Sequence, residues 1–433
     1  MEGGVVMVHV QSPSVETDEQ WTIGALIDWL AHFGQTNSGG VTRLLYSDAW
    51  QQAQQALLHK MTLSGLKGYS DSVGNVFGRI TGTTVPEQVV LSGSHVDTVV
   101  QGGKYDGAYG VLASLLAVRR LLKKYGPPKK TIEVVSLCEE EGSRFPLTYW
   151  GSKNIVGEYD LANIEGLVDR ANIPFEEAME QAGFPISDYQ SPKREDIVHF
   201  IEVHIEQGQI LEKQQQQIGI VSHIVGQQRF TVTYFGQSNH AGTTEMQGRK
   251  DAIVCAAHAI TNLTALANDK YPPKLRATIG SLHVKPNVPN VIAGEVSFTV
   301  DVRHHQQSVI DSFVEEMYGI LQTINDLYNV THSIERFSAD EPVQLDAQTH
   351  EVAMQLANKR GLNAIQMVSG AGHDSQVFAQ HVPTTLLFVP SRNNGISHSP
   401  LEFTAVEELE RGVELLEDVL YYLAYEGDDS HEL

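Results

Sequence analysis

The sequence has little cysteine, little positive charge and no long apolar run. Only two of its 433 residues are cysteines, Cys138 and Cys255, which excludes a disulfide-stabilised scaffold and is typical of a reducing compartment. Thirty basic residues against 53 acidic ones give a formal net charge of −23, which argues against nucleic acid and anionic membranes as partners. Because no stretch of about 18 apolar residues is present, no membrane-spanning helix is predicted.

The length and composition are those of a globular protein with more than one core. A chain of 433 residues is longer than a single hydrophobic core usually supports. Hydrophobic residues at 41% and charged residues at 19% are typical of soluble domains. Residues 1–20 show neither the basic nor the apolar region of a signal peptide, so we expect a cytoplasmic protein.

Apolar runs and helical patterns alternate in the first part of the chain. The run VVLSGSH, the helical pattern GVLASLLAVRRLLKKYG and the run TIEVVSLC follow one another, which predicts two parallel strands joined by a helix. Buried strands of this kind favour a helix-covered, mainly parallel sheet, and hence an α/β fold. Both runs end in polar residues, at the sheet edge where open α/β sheets place their sites.

The pattern changes at residue 221. From there to residue 336 the order strand, helix, strand, strand, helix, strand is predicted, which indicates a smaller, inserted α+β domain. The core sheet is expected to resume afterwards. We therefore predict a catalytic domain formed by residues 1–220 and 337–433, interrupted by an inserted domain at 221–336.

The first candidate site residues follow the first apolar run. His95 and Asp97 are two positions apart, so an extended strand places both side chains on one face. Asp106 lies in a glycine-rich loop, where unusual backbone angles are accessible. Such a loop could alternatively bind phosphate, but neither G-x-x-x-x-G-K-[ST] nor G-x-G-x-x-G is present.

Further carboxylates and imidazoles complete a possible two-metal site. The carboxylates of residues 139–141 would repel one another unless cations or protons relieved them, although a solvated turn is the alternative interpretation. Three imidazoles with two carboxylates suit zinc or manganese, and one carboxylate bridging two ions about 3.5–4 Å apart suits hydrolysis. The candidate set is His95, Asp106, Glu141, His204 in FIEVHIEQG and His398 in GISHSP.

At these residues the sequence resembles a family of dinuclear-metal amidohydrolases. The family includes allantoate amidohydrolases, N-carbamoyl-L-amino-acid hydrolases and β-alanine synthase, and it shares the M20 peptidase-like fold. The resemblance covers nearly the whole chain, because several separate motifs occur in the family's order. These motifs are GSHVDTVVQGGKYDG, EEEGSRFPLTYWGSKNIVG, HIEQG, SNHAGTT, PNVPNVIAG, DVRH, SGAGHDSQVFA and GISHSP.

The resemblance implies two divalent metal ions per subunit, Mn²⁺ or Zn²⁺. Matched to the family pattern, His95 and His204 would bind one ion. Glu141 and His398 would bind the other, and Asp106 would bridge the two.

The resemblance also implies the catalytic groups. Glu140 matches the general base, and Asp97 matches the group that orients His95. His240 matches the histidine that stabilises the oxyanion, which in relatives comes from the smaller domain of the neighbouring subunit, so a homodimer is expected. Glu245 stands where many relatives carry proline, and we expect the loop after His240 to be looser for that reason.

A small anionic ureido compound is the implied substrate. Asn290 and Arg303 match residues that hold the substrate carboxylate, Arg303 through a bidentate fork. Such local positive charge is needed because the whole chain is strongly acidic. The remaining implied substrate contacts are Gln207, Gly372 and His373.

Within the family, TRLLYSDAW and GSRFPLTYWGSKNIVG are more similar to allantoate amidohydrolases, so hydrolysis of a ureido C–N bond in allantoate is the favoured expectation. Hydrolysis of N-carbamoyl-L-amino acids is the alternative, because these present the same carboxylate and ureido group. More distant alternatives are an aminoacylase or metallopeptidase on the same scaffold and a catalytically silent relative. The five ligands and Glu140 are all present, which argues against a silent protein.

Overall fold

The computed structural model describes residues 21–271 and 275–426. Residues 1–20, on which the absence of a signal peptide was predicted, lie outside the described part. Within that part, no helix is long and apolar enough to cross a bilayer. The described chain divides into two compact units. The first comprises residues 21–197, 202–217 and 389–426, and the second comprises residues 198–201 and 218–388 apart from 272–274.

The first unit begins with two capped helices, α1 (Ile23–Ala31) and α2 (Asp48–Leu63). The side chains of Thr22 and Ser47 accept hydrogen bonds from backbone N–H groups in the first turns, which satisfies donors that a helix leaves open. The elements that follow are β1 (Lys67–Ser70), β2 (Val76–Ile80), β3 (Val85–His95), α3 (Ala108–Tyr125), β4 (Lys130–Leu137), α4 (Trp150–Val156), α5 (Phe175–Gln181), β5 (Ile197–Ile205) and α6 (Ile210–Gln214).

The parallel crossover predicted from the apolar runs is confirmed. Strands β3 and β4 pair in parallel and α3 connects them. Helix α3 ends at Tyr125, because the following Gly126 has a φ of 75° and Pro127 comes next. Strand β2 pairs antiparallel with β4, and β1 pairs antiparallel with β2. The fold is therefore of the mixed α/β class, with antiparallel strands added at this side of the sheet.

One predicted strand begins later than expected. The apolar pattern predicts a strand from residue 73, but β2 starts at Val76. The Asp71 carboxylate accepts hydrogen bonds from the backbone N–H groups of Val73, Gly74 and Asn75, so these residues form a turn. Strand β1 on the other side of this turn was not predicted, because its four residues are too few to show alternation.

Most of the elements that follow α6 belong to the second unit, and the final helix α11 belongs to the first unit. They are β6 (Ile218–Ile224), β7 (Gly226–Phe235), β8 (Asn239–His240), α7 (Ala252–Lys270), β9 (Arg276–Lys285), β10 (Val291–Ile292), β11 (Glu295–His304), α8 (Gln307–Tyr328), β12 (Thr331–Asp340), β13 (Val343–Gln344), α9 (Ala347–Lys359), β14 (Ala364–Ser369), α10 (Asp374–Phe378), β15 (Thr384–Val389) and the final helix α11 (Val406–Tyr421).

A four-stranded antiparallel sheet, in the order β12-β7-β11-β9, forms one part of the second unit. Along β7, Phe230, Val232 and Tyr234 are buried in a core shared with α7 and α8, whereas Arg229 and Thr231 point to the opposite face. The predicted order of two helices and four strands is present, with the short strands β8 and β10 in addition.

The second unit continues beyond the predicted domain end at residue 336. Strand β6 pairs in parallel with β14 and antiparallel with β13 and β15. These pairings join residues 343–388 to residues 218–224, which explains why the compact unit extends to Phe388. The boundaries at 220 and 336, and a role of this region in dimerisation, stay predictions.

Candidate metal centre

Three strands of the first unit end at the candidate metal centre. Strand β3 ends at His95, and the parallel register pairs His95 with Leu137 at the end of β4. The carboxylates after β4 therefore start beside His95. Strand β5 neighbours β3 on the side away from β4 and carries His204 one residue before its end. This arrangement of strand ends explains why residues far apart in sequence gather here.

The first ligand group consists of His95, Asp106 and His204, which are all buried. Asp106 Oδ1 lies 3.2 Å from His204 Nε2 and 3.9 Å from His95 Nε2. One ligand atom from each residue lies within 4.8 Å of the other two. Such spacing allows one ion to contact all three side chains.

The second ligand group shares Asp106 with the first. Asp106 Oδ2 lies 3.2 Å from His398 Nε2, which is 3.4 Å from Glu141 Oε2. The two oxygens of Asp106 thus face different ligand groups, as a carboxylate does when it bridges two ions. The structure therefore brings all five predicted ligands together, within one unit.

The two buried imidazoles are held with their Nε2 atoms toward Asp106. His95 Nδ1 lies 3.0 Å from the Asp97 carbonyl oxygen, and His204 Nδ1 lies 2.9 Å from the Ile205 carbonyl oxygen. Because a carbonyl only accepts hydrogen bonds, each Nδ1 carries the proton and donates. In the neutral form of each ring the remaining lone pair is therefore on Nε2, the atom that would bind a metal ion, and at His204 this atom also lies 3.0 Å from the backbone N of Gly107.

The charges at this centre are unbalanced without a cation. Burial alone would raise the pKa of Asp106, but hydrogen bonds from His204 and His398 hold it well below its usual value. Burial lowers the pKa of His204, yet the hydrogen bond to Asp106 outweighs it and raises that pKa to about 9. Burial, followed by the charge of Asp106, raises the pKa of Glu141 well above its usual value. A divalent ion could neutralise these carboxylates in place of the protons.

These side chains fit a divalent metal ion. Glu141 Oε1 is buried and has no hydrogen-bond partner among the described residues, which is costly unless a cation contacts it. Imidazole nitrogens with carboxylate oxygens are ligands that zinc and manganese accept.

Asp97, predicted to orient His95, contacts it through its backbone. Its backbone carbonyl orients His95, whereas its carboxylate Oδ1 is 3.7 Å from His95 Nδ1. Oδ2 accepts a hydrogen bond of 3.1 Å from the backbone N–H of Glu141. The Asp97 side chain therefore holds the segment that carries the second-group ligand Glu141.

Glu140, the predicted general base, lies beside the first ligand group. Its Oε2 is 3.8 Å from His95 Nε2, and 12% of its side chain is exposed. The preceding residue, Glu139, is fully buried and has a left-handed backbone with φ of 54°. Such a conformation is unfavourable for a residue with a Cβ and is found at functional turns.

Gln207 was predicted to contact substrate, but its side chain contacts the metal centre itself. Gln207 Nε2 donates to Asp106 Oδ2 at 3.0 Å and to Ser397 Oγ at 3.1 Å. Because Ser397 precedes His398, this amide connects the bridging carboxylate to the loop of another ligand. Gln207 is also left-handed, with φ of 52°.

Glu402 is a further residue of this centre that sequence reasoning missed. Its Oε1 accepts hydrogen bonds from the backbone N–H groups of Tyr105 at 3.0 Å and Asp106 at 3.1 Å, and its Oε2 accepts one from Ser397 Oγ at 2.7 Å. Burial, followed by the charge of Asp106, raises the pKa of Glu402 to about 7. The only sequence signal was an acid four positions after His398, which does not predict a contact with Asp106.

Two glycines of the predicted loop are required by close contacts. Gly107 has a φ of 61°, and a Cβ there would lie 2.4 Å from the His95 ring. A Cβ at Gly103 would lie 2.0 Å from the Glu402 carboxylate. The glycine-rich loop therefore lets backbone approach two side chains of the centre.

The other predicted site residues lie in the second unit. His240 is exposed on the short strand β8, which pairs with β10, and the backbone N–H of Ala241 donates to the Asn290 carbonyl oxygen at 3.0 Å. His240 and Asn290 are therefore neighbours. Gly372 and His373 precede α10, and the buried His373 ring lies 5.4 Å from the ring of Phe388.

Arg303 is held by a carboxylate of its own strand. Its Nε and Nη2 donate to the two oxygens of Asp301 at 2.9 and 3.1 Å, and its Nη1 donates to the Gly370 carbonyl at 3.1 Å. Arg229 Nε donates to the same carboxylate at 2.9 Å. Burial raises the pKa of Asp301, but these arginines lower it further, so Asp301 stays ionised. Two of the five N–H groups of Arg303 remain available to a ligand.

With the geometry established, comparison with known proteins identifies the family. The profile of "Peptidase family M20/M25/M40" matches residues 85–422. The chain belongs to this family. It is 47% identical to the allantoate amidohydrolase of Bacillus subtilis (strain 168), across 92% of this chain and 96% of that protein. It is 42% identical to the allantoate amidohydrolase of Escherichia coli (strain K12), across 92% and 97%.

A solved structure shares the fold. A Burkholderia multivorans protein described as an amidase of the hydantoinase/carbamoylase family is 32% identical, covers 94% of this chain and 98% of its own, and superposes with a TM-score of 0.87. This M20 family member is a hydrolytic enzyme, and its ligand groups indicate binding of divalent metal.

Proposed function

We propose that this enzyme hydrolyses a ureido C–N bond of allantoate, releasing ammonia and carbon dioxide and leaving ureidoglycine, which gives ureidoglycolate when a second water replaces its amino group as ammonia. The observation that carries the proposal is the pair of ligand groups sharing Asp106, with Glu140 beside them. Similarity to allantoate amidohydrolases selects the substrate within this chemistry.

The two ligand groups are proposed to hold two Mn²⁺ or Zn²⁺ ions. His95 and His204 would bind one ion, Glu141 and His398 the other, and Asp106 both. When bound, the ions would lower the pKa of the attacking water and polarise the ureido carbonyl. Backbone carbonyl oxygens accept hydrogen bonds from Nδ1 of His95 and His204. These bonds favour the Nδ1–H tautomer, in which Nε2 can bind a metal ion.

Glu140 is proposed to carry the proton of the reaction. Its carboxylate takes a proton from the attacking water and delivers it to the leaving nitrogen, as a general base that then acts as an acid. The partial exposure of its side chain is consistent with access to water and substrate. His240 would donate a hydrogen bond to the oxyanion that forms at the carbonyl.

Arg303 and Asn290 are proposed to bind the carboxylate of the substrate. The N–H groups of Arg303 that Asp301 and Gly370 leave free would bind the carboxylate. Gly372 and His373 are proposed as further contacts. The amide of Gln207 supports Asp106, so its predicted substrate contact is a secondary proposal.

The proposal includes a homodimer in which His240 acts on the substrate bound by the neighbouring subunit. A cytoplasmic location, inferred from the sequence, also stays a prediction.

Hydrolysis of N-carbamoyl-L-amino acids is the second candidate, since a solved relative is described as a carbamoylase-family amidase. The test is ammonia release from metal-reconstituted enzyme with allantoate, several N-carbamoyl-L-amino acids and a dipeptide. We expect kcat/KM to be highest for allantoate. Higher values for a carbamoyl amino acid would assign the second function, and preference for the dipeptide would contradict both.

A further inference from the structure

The segment that follows His240 contains no regular secondary structure, although all of its residues are described. Residues 241–248 form turns and bends between β8 and α7, and Met246 at the tip is 78% exposed. A loop of this kind would leave the position of His240 poorly defined unless other contacts restrained it.

The guanidinium of Arg249 restrains this loop from within. Arg249 Nη2 donates to the carbonyl oxygens of Ala241 at 2.9 Å and Thr244 at 2.5 Å, and Nε donates to the carbonyl of Glu245 at 3.1 Å. Three carbonyl groups of one loop therefore converge on a single planar cation. Charge-assisted hydrogen bonds to a rigid fork fix geometry better than single neutral bonds do.

The restrained loop in turn contacts His240. Thr244 Oγ1 donates to the His240 carbonyl oxygen at 2.8 Å, so one residue held by Arg249 binds the histidine backbone. The backbone N–H of Gly242 donates to His240 Nδ1 at 3.1 Å. Because Nδ1 accepts this bond, the proton of the neutral ring lies on Nε2. The ring is thereby prepared to donate from Nε2, which is the role proposed for it.

We propose that Arg249 is a positioning residue that fixes the location and the tautomer of His240 through the loop at 241–245. This inference rests on the proposed role of His240 as the oxyanion donor. The Arg249 side chain also holds the carbonyl of Glu245, where the sequence resemblance led us to expect a looser loop. This contact opposes such loosening, which stays a prediction.

The main test is a double-mutant cycle with allantoate as substrate. Arg249→Met removes all three donors but keeps an unbranched side chain, and we expect kcat to fall about tenfold or more, toward the loss of about 10²–10³ typical of a missing oxyanion donor. Arg249→Lys should retain part of the activity, because its ammonium keeps the charge and can still donate to some, though not all, of the three carbonyl oxygens. Combined with His240→Ala, Arg249→Met should cause no further loss, because it acts through His240. Equal losses in both backgrounds would overturn the proposal.

The matched control is Lys250→Met, which removes the adjacent cation. Within the described residues the Lys250 side chain forms no hydrogen bond or ion pair, so kcat should stay within about twofold. Metal content and thermal midpoint, measured for every variant, show whether the protein is folded and loaded.

A second measurement separates this inference from the proposed function. Hydrogen–deuterium exchange at residues 241–248 should be at least about tenfold faster in Arg249→Met than in Lys250→Met, and ¹⁵N spectra of the zinc-loaded enzyme should show His240 changing from the Nε2–H tautomer to a mixture. If His240→Ala keeps full kcat, the oxyanion role fails, yet these two readouts still test the loop. Unchanged exchange with an unchanged tautomer would refute the positioning role, whatever His240 does.

Discussion

The carboxylate of Glu402 accepts a hydrogen bond of 3.1 Å from the backbone N–H of Asp106, the residue shared by both ligand groups. The other oxygen of Glu402 accepts one from Ser397, next to His398. A single buried side chain therefore fixes two loops that each carry a ligand. Groups that orient metal ligands in this way contribute strongly to metal affinity.

Glu402→Ala is expected to weaken metal binding about 10–100-fold, as loss of a ligand-orienting group typically does. The change removes both acceptors, so the loops of Asp106 and His398 lose a common support. Metal dissociation constants from competition with a chelator provide the measurement, and Glu402→Gln should retain part of the affinity. Glu407→Gln, an exposed acid on the following helix, is the control. Equal affinity in Glu402→Ala and the control would show that Glu402 does not support the ligands.

Glu140→Gln is expected to retain both metal ions and lose kcat about 10²–10⁴-fold, the usual contribution of a general base. The amide is nearly the same size as the carboxylate but cannot take a proton. Elemental analysis and steady-state ammonia release measure the two effects separately. Near-full turnover with bound metal would make the assignment of the base wrong, and loss of metal would make Glu140 a ligand instead.

Arg303→Ala is expected to raise KM for allantoate about 10–100-fold, because a charge-assisted contact to the carboxylate contributes about 1.5–3 kcal/mol. Asp301 keeps its partner Arg229, so the fold should be retained. The control is Arg336→Ala, an exposed arginine of β12. If Arg303→Ala has the same KM and kcat for allantoate as the wild-type enzyme, the prediction is wrong and another group binds the substrate carboxylate.

Removal of metal is expected to make stability depend on pH above neutrality. In the metal-free protein the pKa of His204 is raised to about 9 by Asp106. A raised folded-state pKa gives stability that is fully present below the unfolded value of about 6.5 and is lost as pH rises through about 9. The thermal midpoint of chelated protein should therefore fall between about pH 6.5 and 9, and metal affinity should rise over the same range as the competing proton leaves. A chelated protein whose midpoint is constant or rises over this range would contradict the His204–Asp106 pairing.

Mixing His240→Ala with Glu140→Gln subunits is expected to restore about one quarter of wild-type activity if a homodimer shares its sites. Half of randomly mixed dimers are mixed, and each has one site with an intact Glu140 and a partner's intact His240. Each variant alone should be nearly inactive. Mixed dimers verified by native mass spectrometry that show no recovery would place His240 in its own subunit's site.

Local patterns were sufficient for much of the fold. The second helix of the order predicted for residues 221–336 is α8 (Gln307–Tyr328), whose apolar residues repeat with the helical period over 22 residues. The parallel β3–α3–β4 unit followed from two buried runs and one amphipathic segment. Strand β1 was missed because four residues are too few to show alternation. The later start of β2 was missed because the side-chain turn at Asp71 has no periodic signature.

The sequence by itself predicted which side chains gather at the candidate metal centre, since these residues stand at strand ends and in glycine-bounded loops: His95, Asp106, Glu141, His204 and His398. Only the tertiary structure decided which groups hold them. Glu402 contacts Asp106 across 296 positions, Gln207 binds Asp106, and Arg249 gathers three carbonyls. Periodicity reports which face of an element is buried, but the partner of a polar group depends on how distant loops meet, and no spacing along the chain encodes that.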